Sequence, residues 1–151
     1  LKLIVSRSHW LYPTETVEKF TTMNENNGII NQPSPYSVPT TIDRLEAVLQ
    51  AKGITIFARI DQQAEAEKVG LSLCPTQLLL FGNPKAGTSL MVAEPMIALD
   101  LPLKAVAWEA SDSKVWLSYN DPNHLQQRFS LSDELLQSIA VIAPLINQAL
   151  L

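Results

Sequence analysis

Two apolar runs joined by a three-residue polar turn limit the possible folds more than any other feature. Residues 103–110 and 114–120 are rich in aliphatic and aromatic side chains, and residues 111–113 between them read Ser-Asp-Ser. This pattern predicts a β-hairpin. In the second run the residues of one strand face are all apolar: Val115, Leu117 and Tyr119. Because strand side chains alternate between faces, Trp116 and Ser118 lie on the other face, and Trp108 and Trp116 are expected to fill the core or a dimer interface.

Upstream of the hairpin, short apolar runs alternate with amphipathic stretches. Strands are predicted near Ile29, over residues 54–60 and over residues 77–81. Prolines that follow Ile29 confine the first strand to a sheet edge or an extended connector. Helices are predicted to begin near Thr40, Asp61, Ser89, Asp121 and Ser132. This order predicts an α+β fold, with a mixed β-sheet of about five strands packed against helices.

The length and charge of the chain bound its class. At 151 residues, 46% hydrophobic and 17% charged, it has the size and composition of one globular domain. The formal net charge is −4, and the 11 Lys and Arg residues are scattered singly. Because phosphates and anionic lipids are bound by clustered basic residues, we expect neither nucleic acid nor a membrane as a partner.

The cysteine count and the first residues suggest a compartment and a domain boundary. Cys74 is the single cysteine and cannot form an internal disulfide bond, which suits a reducing, cytoplasmic location. A short helix could begin at Thr14, with Val17 and Phe20 on one face, before a polar stretch breaks it. We expect residues 1–26 to be an appendage or linker and residues 27–151 to form the domain.

Six segments resemble a known family: residues 34–38, 41–45, 53–61, 80–88, 99–104 and 115–122, with Ala-Arg-Ile-Asp (58–61) and Phe-Gly-Asn-Pro-Lys-Ala-Gly-Thr (81–88) among them. In this order and spacing they resemble the domain-of-unknown-function 302 family, whose structural members are called TT1751-like. The resemblance covers residues 27 to 151. It implies a small α+β domain that forms a homodimer, and it implies no established activity. Family members often carry a His where this chain has Gln62, so a role for that His is not expected here.

The stretch 82–88 is the best candidate binding site. It leaves an apolar strand and enters a helix, where free backbone N–H groups and the helix dipole favour an anion. Lys85 adds positive charge, and Gly87 permits close approach of a ligand to the backbone. Asn83 and Thr88 complete the candidate ligand-binding set on this loop. The alternative is a tight turn that uses Gly and Pro only for geometry.

Two residues outside this loop could join the site. Asp100 could place a carboxylate beside the loop or form an ion pair with Lys104. Tyr119 could present a phenol at a strand end, or could pack in the core beside a helix cap. No pattern of His, Cys, Asp and Glu has metal-ligand spacing, so neither a metal nor another cofactor is expected.

Three functional hypotheses follow. The leading one is a homodimeric module that binds a small, anionic ligand or interacts with a partner. The alternative is an enzyme of unknown reaction that uses Lys85 with Asp100 or Tyr119, which requires these groups to converge in a pocket. A third is a structural partner of another protein, which requires a large exposed apolar patch and no pocket.

Overall fold

The computed structural model describes residues 27–151. They form five strands, six α-helices and one 3₁₀ helix: β1 (Ile29–Ser34), α1 (Val38–Ala51), β2 (Thr55–Asp61), α2 (Gln62–Lys68), β3 (Thr76–Gly82), α3 (Pro84–Ala93), the 3₁₀ helix (Pro95–Leu99), β4 (Leu103–Glu109), β5 (Val115–Asn120), α4 (Pro122–Phe129), α5 (Asp133–Ala140) and α6 (Ile142–Leu150). The predicted appendage, residues 1–26, lies outside the described residues.

The strands form one sheet in the order β1-β5-β4-β3-β2. The predicted α+β architecture with five strands is confirmed, and β4 and β5 form the predicted hairpin. The sheet is antiparallel throughout rather than mixed. The physical reason is the path of α1, which carries the chain from β1 at one edge to β2 at the other. The two strands that flank that helix in the sequence, β1 and β2, therefore do not become parallel neighbours.

One face of the sheet carries the main core. Helices α1 and α6 cover it, and their buried residues share one cluster with those of β3, β4 and β5. In β5 the inward residues are Val115, Leu117 and Tyr119, which share one face as predicted, whereas Trp108 and Trp116 lie outside this core cluster. Helix α1 begins earlier than predicted, because Ser37 rather than Thr40 is its N-cap and its Oγ accepts a hydrogen bond from Thr40 N. Pro39 lies in the first turn, where a missing N–H costs nothing.

A second, smaller cluster lies at one end of the sheet. It is built from buried residues of α3, the 3₁₀ helix, α4, the α4–α5 connection and α5: Leu90, Ile97, Leu125, Leu131 and Ile139. The last predicted helix is divided at Val141 into α5 and α6. As a result Ile139 belongs to the second cluster, whereas Ile142 belongs to the first. No helix in residues 27–151 is long and apolar enough to cross a membrane.

Candidate functional site

The stretch predicted as a loop is largely helical. Asn83 is the N-cap of α3, and Pro84 follows at the first helical position, so residues 84–88 form the first turns of the helix. Asn83 Oδ1 accepts hydrogen bonds from Lys85 N (2.9 Å) and Ala86 N (3.3 Å). Gly87 N donates to the backbone oxygen of Asn83 (2.8 Å). The expectation of free amides at this helix start is therefore wrong, because the cap residue already satisfies them.

A cavity of about 340 Å³ lies beside this turn. Its walls come from β2, α3, α5 and the segment that enters β4. The apolar side chains that line it are Phe57, Pro84, Ala86, Leu90, Met91, Leu101, Pro102, Leu103 and Ile139. No charged residue of the described chain lines it. The volume is in the range of small-molecule sites, and the lining is mainly apolar.

Three polar side chains face this cavity: Asn83, Thr88 and Ser138. Thr88 Oγ1 donates to Pro84 O (2.7 Å) and Ser138 Oγ donates to Leu135 O (2.6 Å). Since each hydroxyl proton is already used within its own helix, these oxygens offer lone pairs rather than protons to a ligand. The cavity can therefore receive a hydrogen-bond donor of a neutral molecule.

The structure divides the six predicted site residues. Asn83, Gly87 and Thr88 line the cavity, whereas Lys85 is exposed and does not. Asp100 instead forms an ion pair with Arg128, with Oδ2 at 3.1 Å from Nη1 but without the alignment of a hydrogen bond. The predicted pair with Lys104 does not form, because Lys104 Nζ donates to Pro102 O (2.9 Å).

Tyr119 belongs to the core rather than to a site. It is buried among the residues under α1 and α6. Burial raises the pKa of its phenol, and a hydrogen bond with the Gln32 side chain acts in the opposite direction. The convergence of Lys85 with Asp100 or Tyr119 that an enzyme hypothesis requires is absent from the described cavity.

Several cavity residues could not be found from local sequence signals. Phe57 reaches the cavity because a β-bulge between Ile56 and Ala58 shifts the register of β2. The bulge interrupts the alternation of inward and outward side chains in β2. That interruption is the one feature of the sequence that could have indicated the position of Phe57. Ser138 arrives from α5, some fifty residues downstream of α3, so only the tertiary fold brings it here.

A polar network lies at the other end of β2. Arg59 Nη1 binds Asp43 Oδ1 (2.6 Å), and Arg59 Nε donates to Gln77 Oε1 (3.0 Å). Asp61 caps α2 by accepting from Ala64 N (2.9 Å). The predicted cap is therefore confirmed, and Arg59 pairs with Asp43 of α1. The network fastens α1 to the sheet edge.

A second cavity, a groove of about 380 Å³, lies between the start of α1 and the β4–β5 turn. Its charged lining residues are Glu109 and Lys114, and Tyr36 and Ser37 contribute polar groups. In residues 27–151 no group of three His, Cys, Asp or Glu residues is arranged to hold a metal ion.

Comparison with known proteins decides the family. A family model described as "Domain of unknown function DUF302" matches residues 30–149. The chain belongs to this family. The DUF302 domain also resembles the crystal structure of an uncharacterised conserved DUF302 protein from Bacillus stearothermophilus, with a TM-score of 0.68 and 18% identity, over 83% of this chain and 97% of that one. At this identity the likeness concerns the fold alone.

Curated relatives of the DUF302 domain come from Brucella. A Brucella suis protein named "Fluoride-specific ion channel FluC 1" is 46% identical over 106 residues, which are 70% of this chain and 42% of that protein. Proteins of Brucella abortus and Brucella melitensis, named fluoride-specific ion channels FluC 1 and FluC 2, match with the same identity over 39% of their length. The chain thus spans about two fifths of these relatives.

Proposed function

We propose that the DUF302 domain binds a small, uncharged and mainly apolar molecule in the cavity beside α3. The observation that carries this proposal is the lining itself, in which aliphatic and aromatic side chains line a half-open cavity of about 340 Å³ with no charge among them. Apolar walls with a few fixed polar groups are typical of ligand sites. The hydroxyls of Thr88 and Ser138 would orient a ligand N–H or O–H group.

The chemistry of the ligand differs from the anion expected from the sequence. An anion requires unsatisfied amides or a cation, and the first amides of α3 are bonded to Asn83 while Lys85 is exposed and does not line the cavity. A neutral ligand loses less hydration on entering such a cavity. We therefore assign the site to uncharged molecules such as small alcohols, phenols or indoles.

Gly87 provides a sharp test. A Cβ at this position would meet only Leu101, at 4.0 Å, so Gly87→Leu should fold while filling the cavity. Ala93→Leu, at an exposed position of the same helix, is the matched control. In calorimetric titrations with indole, p-cresol and 1-hexanol, the unmodified protein and Ala93→Leu should bind at least one probe, and Gly87→Leu none.

Two outcomes would overturn this assignment. One is that no neutral probe binds the unmodified protein. The other is that inorganic phosphate stabilises the protein thermally and that Lys85→Ala abolishes the effect, since Lys85 is outside the cavity lining. The second result would restore the anion site on the surface of α3.

We also propose that the domain works as a cytoplasmic homodimer. Support comes from an exposed apolar patch on α3 and the 3₁₀ helix, where Val92, Met96 and Leu99 are 79%, 65% and 77% exposed. Patches of this kind on soluble domains often mark protein contacts.

Light scattering at micromolar concentration should report a dimer that Val92→Glu dissociates. Leu71→Glu, which changes a comparably exposed residue elsewhere, should leave it intact. A monomeric unmodified protein would end the proposal.

A second role is suggested by the Brucella relatives. Because the match is 46% over 106 residues of proteins named fluoride-specific ion channels, we propose that this domain serves as an accessory, ligand-sensing part of an ion-channel protein. Fluoride efflux from liposomes should be measured for the Brucella suis protein with and without the matched 106 residues. A neutral probe that binds the domain should change efflux only when those residues are present. Equal responses would remove this role.

A further inference from the structure

The groove of about 380 Å³ lies at the end of the sheet where β1 and β4 stop and β5 begins, and we call it the hairpin groove. Residues 33–37 form one side of it, and Glu109 with residues 113–115 forms the other. In the described part of the chain it shares no lining residue with the cavity beside α3. Its volume is large enough for a small molecule.

Glu109 places a carboxylate on the inner side of the sheet. It follows Ala105 and Ala107 along β4 at alternate positions, and both of these alanines are buried in the main core. Because strand side chains alternate between faces, Glu109 points to the same, helix-covered side. It is only part-exposed, and its cross-strand partner is Val115, a buried core residue. Acidic side chains seldom occupy such sheltered positions unless they are paired.

The Glu109 carboxylate has no hydrogen-bond or ion-pair partner within residues 27–151. Lys114, the cation of the groove, pairs with Asp112 (2.9 Å) rather than with Glu109. Two opposite charges therefore line one groove without meeting each other. A charge that is partly removed from water is stabilised by a partner, so Glu109 favours a cation brought by a ligand.

Lys114 can bind the opposite charge of the same ligand. Its side chain is 71% exposed, and so its ion pair with Asp112 lies in water. Exposed pairs of this kind contribute little to stability. The Lys114 ammonium group also has three protons to donate, so it can bind a ligand carboxylate and keep Asp112.

The wall opposite these charges is rigid. The guanidinium of Arg44 lies over the ring of Tyr36, at 4.3 Å from its centroid. Arg44 is itself held in place, because its Nε donates to the backbone oxygen of Ala149 (2.8 Å). Pro33 and Pro35 complete this wall, and their rings fix the backbone φ.

The turn that carries the two charges is also fixed. Ala110 N donates to Lys114 O (2.8 Å), and Ser113 N donates to Ala110 O (2.9 Å). Glu109 precedes this bonded turn and Lys114 ends it, so the backbone distance between the two residues is set before a ligand arrives. A site with fixed walls loses little conformational entropy on binding.

The charges of the groove select among ligand classes. An anion would be repelled by Glu109, and a simple cation would be repelled by Lys114. A neutral molecule would cover the carboxylate without pairing it, which is unfavourable. A molecule that carries both an ammonium and a carboxylate group satisfies both residues, and α-amino acids have this arrangement.

We propose that the hairpin groove binds a free α-amino acid with an apolar side chain. The ammonium group pairs with Glu109, and the carboxylate pairs with Lys114. The side chain packs against the wall formed by Pro33, Pro35 and Tyr36. This site is independent of the apolar-ligand cavity beside α3, so the failure of either assignment leaves the other standing.

An NMR titration of the full chain with three matched probes tests the proposal. The probes are leucine, 3-methylbutylamine, which is leucine without its carboxylate, and 4-methylpentanoate, which is leucine without its ammonium group. At millimolar concentration leucine should shift the amide signals of Tyr36, Glu109 and Ser113. The amide signals of Leu90 and Ile139, in the second hydrophobic cluster, should not move. Each analogue should bind at least about tenfold more weakly than leucine, because one charged contact is lost.

Two substitutions assign the charged groups. Glu109→Gln and Lys114→Met should each weaken leucine binding by about tenfold or more. In Glu109→Gln the preference for leucine over 4-methylpentanoate should also disappear, and in Lys114→Met the preference over 3-methylbutylamine should disappear. Glu67→Gln and Lys52→Gln remove the same charges at exposed positions outside the groove and should change neither affinity nor preference.

Three outcomes would overturn the proposal. One is that millimolar leucine shifts none of the groove amides. Another is that either analogue binds as tightly as leucine, because one charge of the groove is then not used. The third is that Glu109→Gln keeps the full preference for leucine over 4-methylpentanoate. If a variant does not fold, the comparison of the three probes on the unmodified protein still decides.

Discussion

The imidazole ring of His124 lies against Gly28, in the space where any other residue would place its Cβ. Gly28 has a φ of 72°, a left-handed conformation that residues with a Cβ rarely adopt. The same junction is held by a hydrogen bond from Asp121 N to Gly28 O (2.9 Å). The start of β1 is thereby fixed to the start of α4.

Gly28→Ala should destabilise the domain more than other substitutions of left-handed glycines. Gly53 and Gly70 have φ values of 70° and 75° but open space around the missing Cβ, so Ala should cost about 1–2 kcal/mol there. The loss of stability in Gly28→Ala should be larger than in either of these variants, because the His124 ring must also move. Urea denaturation gives the comparison. In Gly28→Ala/His124→Ala the excess should disappear, and an excess that persists would show that the ring contact is not its cause.

Asn83→Ala should destabilise α3 by about 1 kcal/mol, because two backbone amides lose their acceptor. Asn83→Asp should preserve the cap, since a carboxylate accepts the same bonds and interacts favourably with the helix dipole. Lys85→Ala, at an exposed site next to the cap, should change the free energy of unfolding by less than about 0.5 kcal/mol. A Lys85→Ala loss as large as that of Asn83→Ala would reveal a structural role for the lysine.

Tyr119 should make the domain sensitive to alkaline pH. Its pKa in the folded protein is raised from 10.0 by burial, so the unfolded chain releases the phenolic proton first. The folded state then binds more protons, and the free energy of unfolding should fall as pH rises above about 10. Tyr119→Phe should lack this part of the decline. Denaturation curves collected between about pH 9 and pH 11 measure it, and identical slopes for the two proteins would refute the assignment.

Ser118→Ala should destabilise the sheet by about 1–3 kcal/mol, because a buried hydroxyl that both donates and accepts is removed. Ser89→Ala is the matched control. Its hydroxyl donates to Lys85 O (3.1 Å) on an exposed turn, where water replaces the bond. Thermal unfolding of both variants gives the difference. If Ser118→Ala and Ser89→Ala lose equally little stability, water already reaches the Ser118 hydroxyl.

Capping and turn residues that lie next to a helix or strand in the sequence predict where that element begins or ends. Asp121 before Pro122 begins α4 as expected, and the Ser-Asp-Ser turn joins β4 to β5. The equivalent pair Asn83–Pro84 lies in a predicted loop but begins α3, because the glycines around it fit a turn as well as a helix start. A cap and a turn use the same residue types, so composition alone could not separate them.

The site was only half predictable, for a physical reason. Asn83, Gly87 and Thr88 line the cavity because consecutive residues of one helix turn necessarily lie together. Their position near strand ends predicts Asp100 and Tyr119 beside the same loop, but both have other partners: Arg128 pairs with Asp100, and α1 and α6 bury Tyr119. These partners are distant in the sequence, so a local pattern of residues does not predict the contacts.

The order of the strands also governs how this molecule can associate. The two outer strands are β1, which carries Pro33 and so lacks one amide, and β2, whose bulge at Phe57 twists its free side. Irregular borders of this kind discourage a foreign strand from continuing the sheet. Oligomers of the domain should therefore assemble through helices or flat surfaces, and fibre-like stacking along the hydrogen-bond direction is disfavoured from both sides.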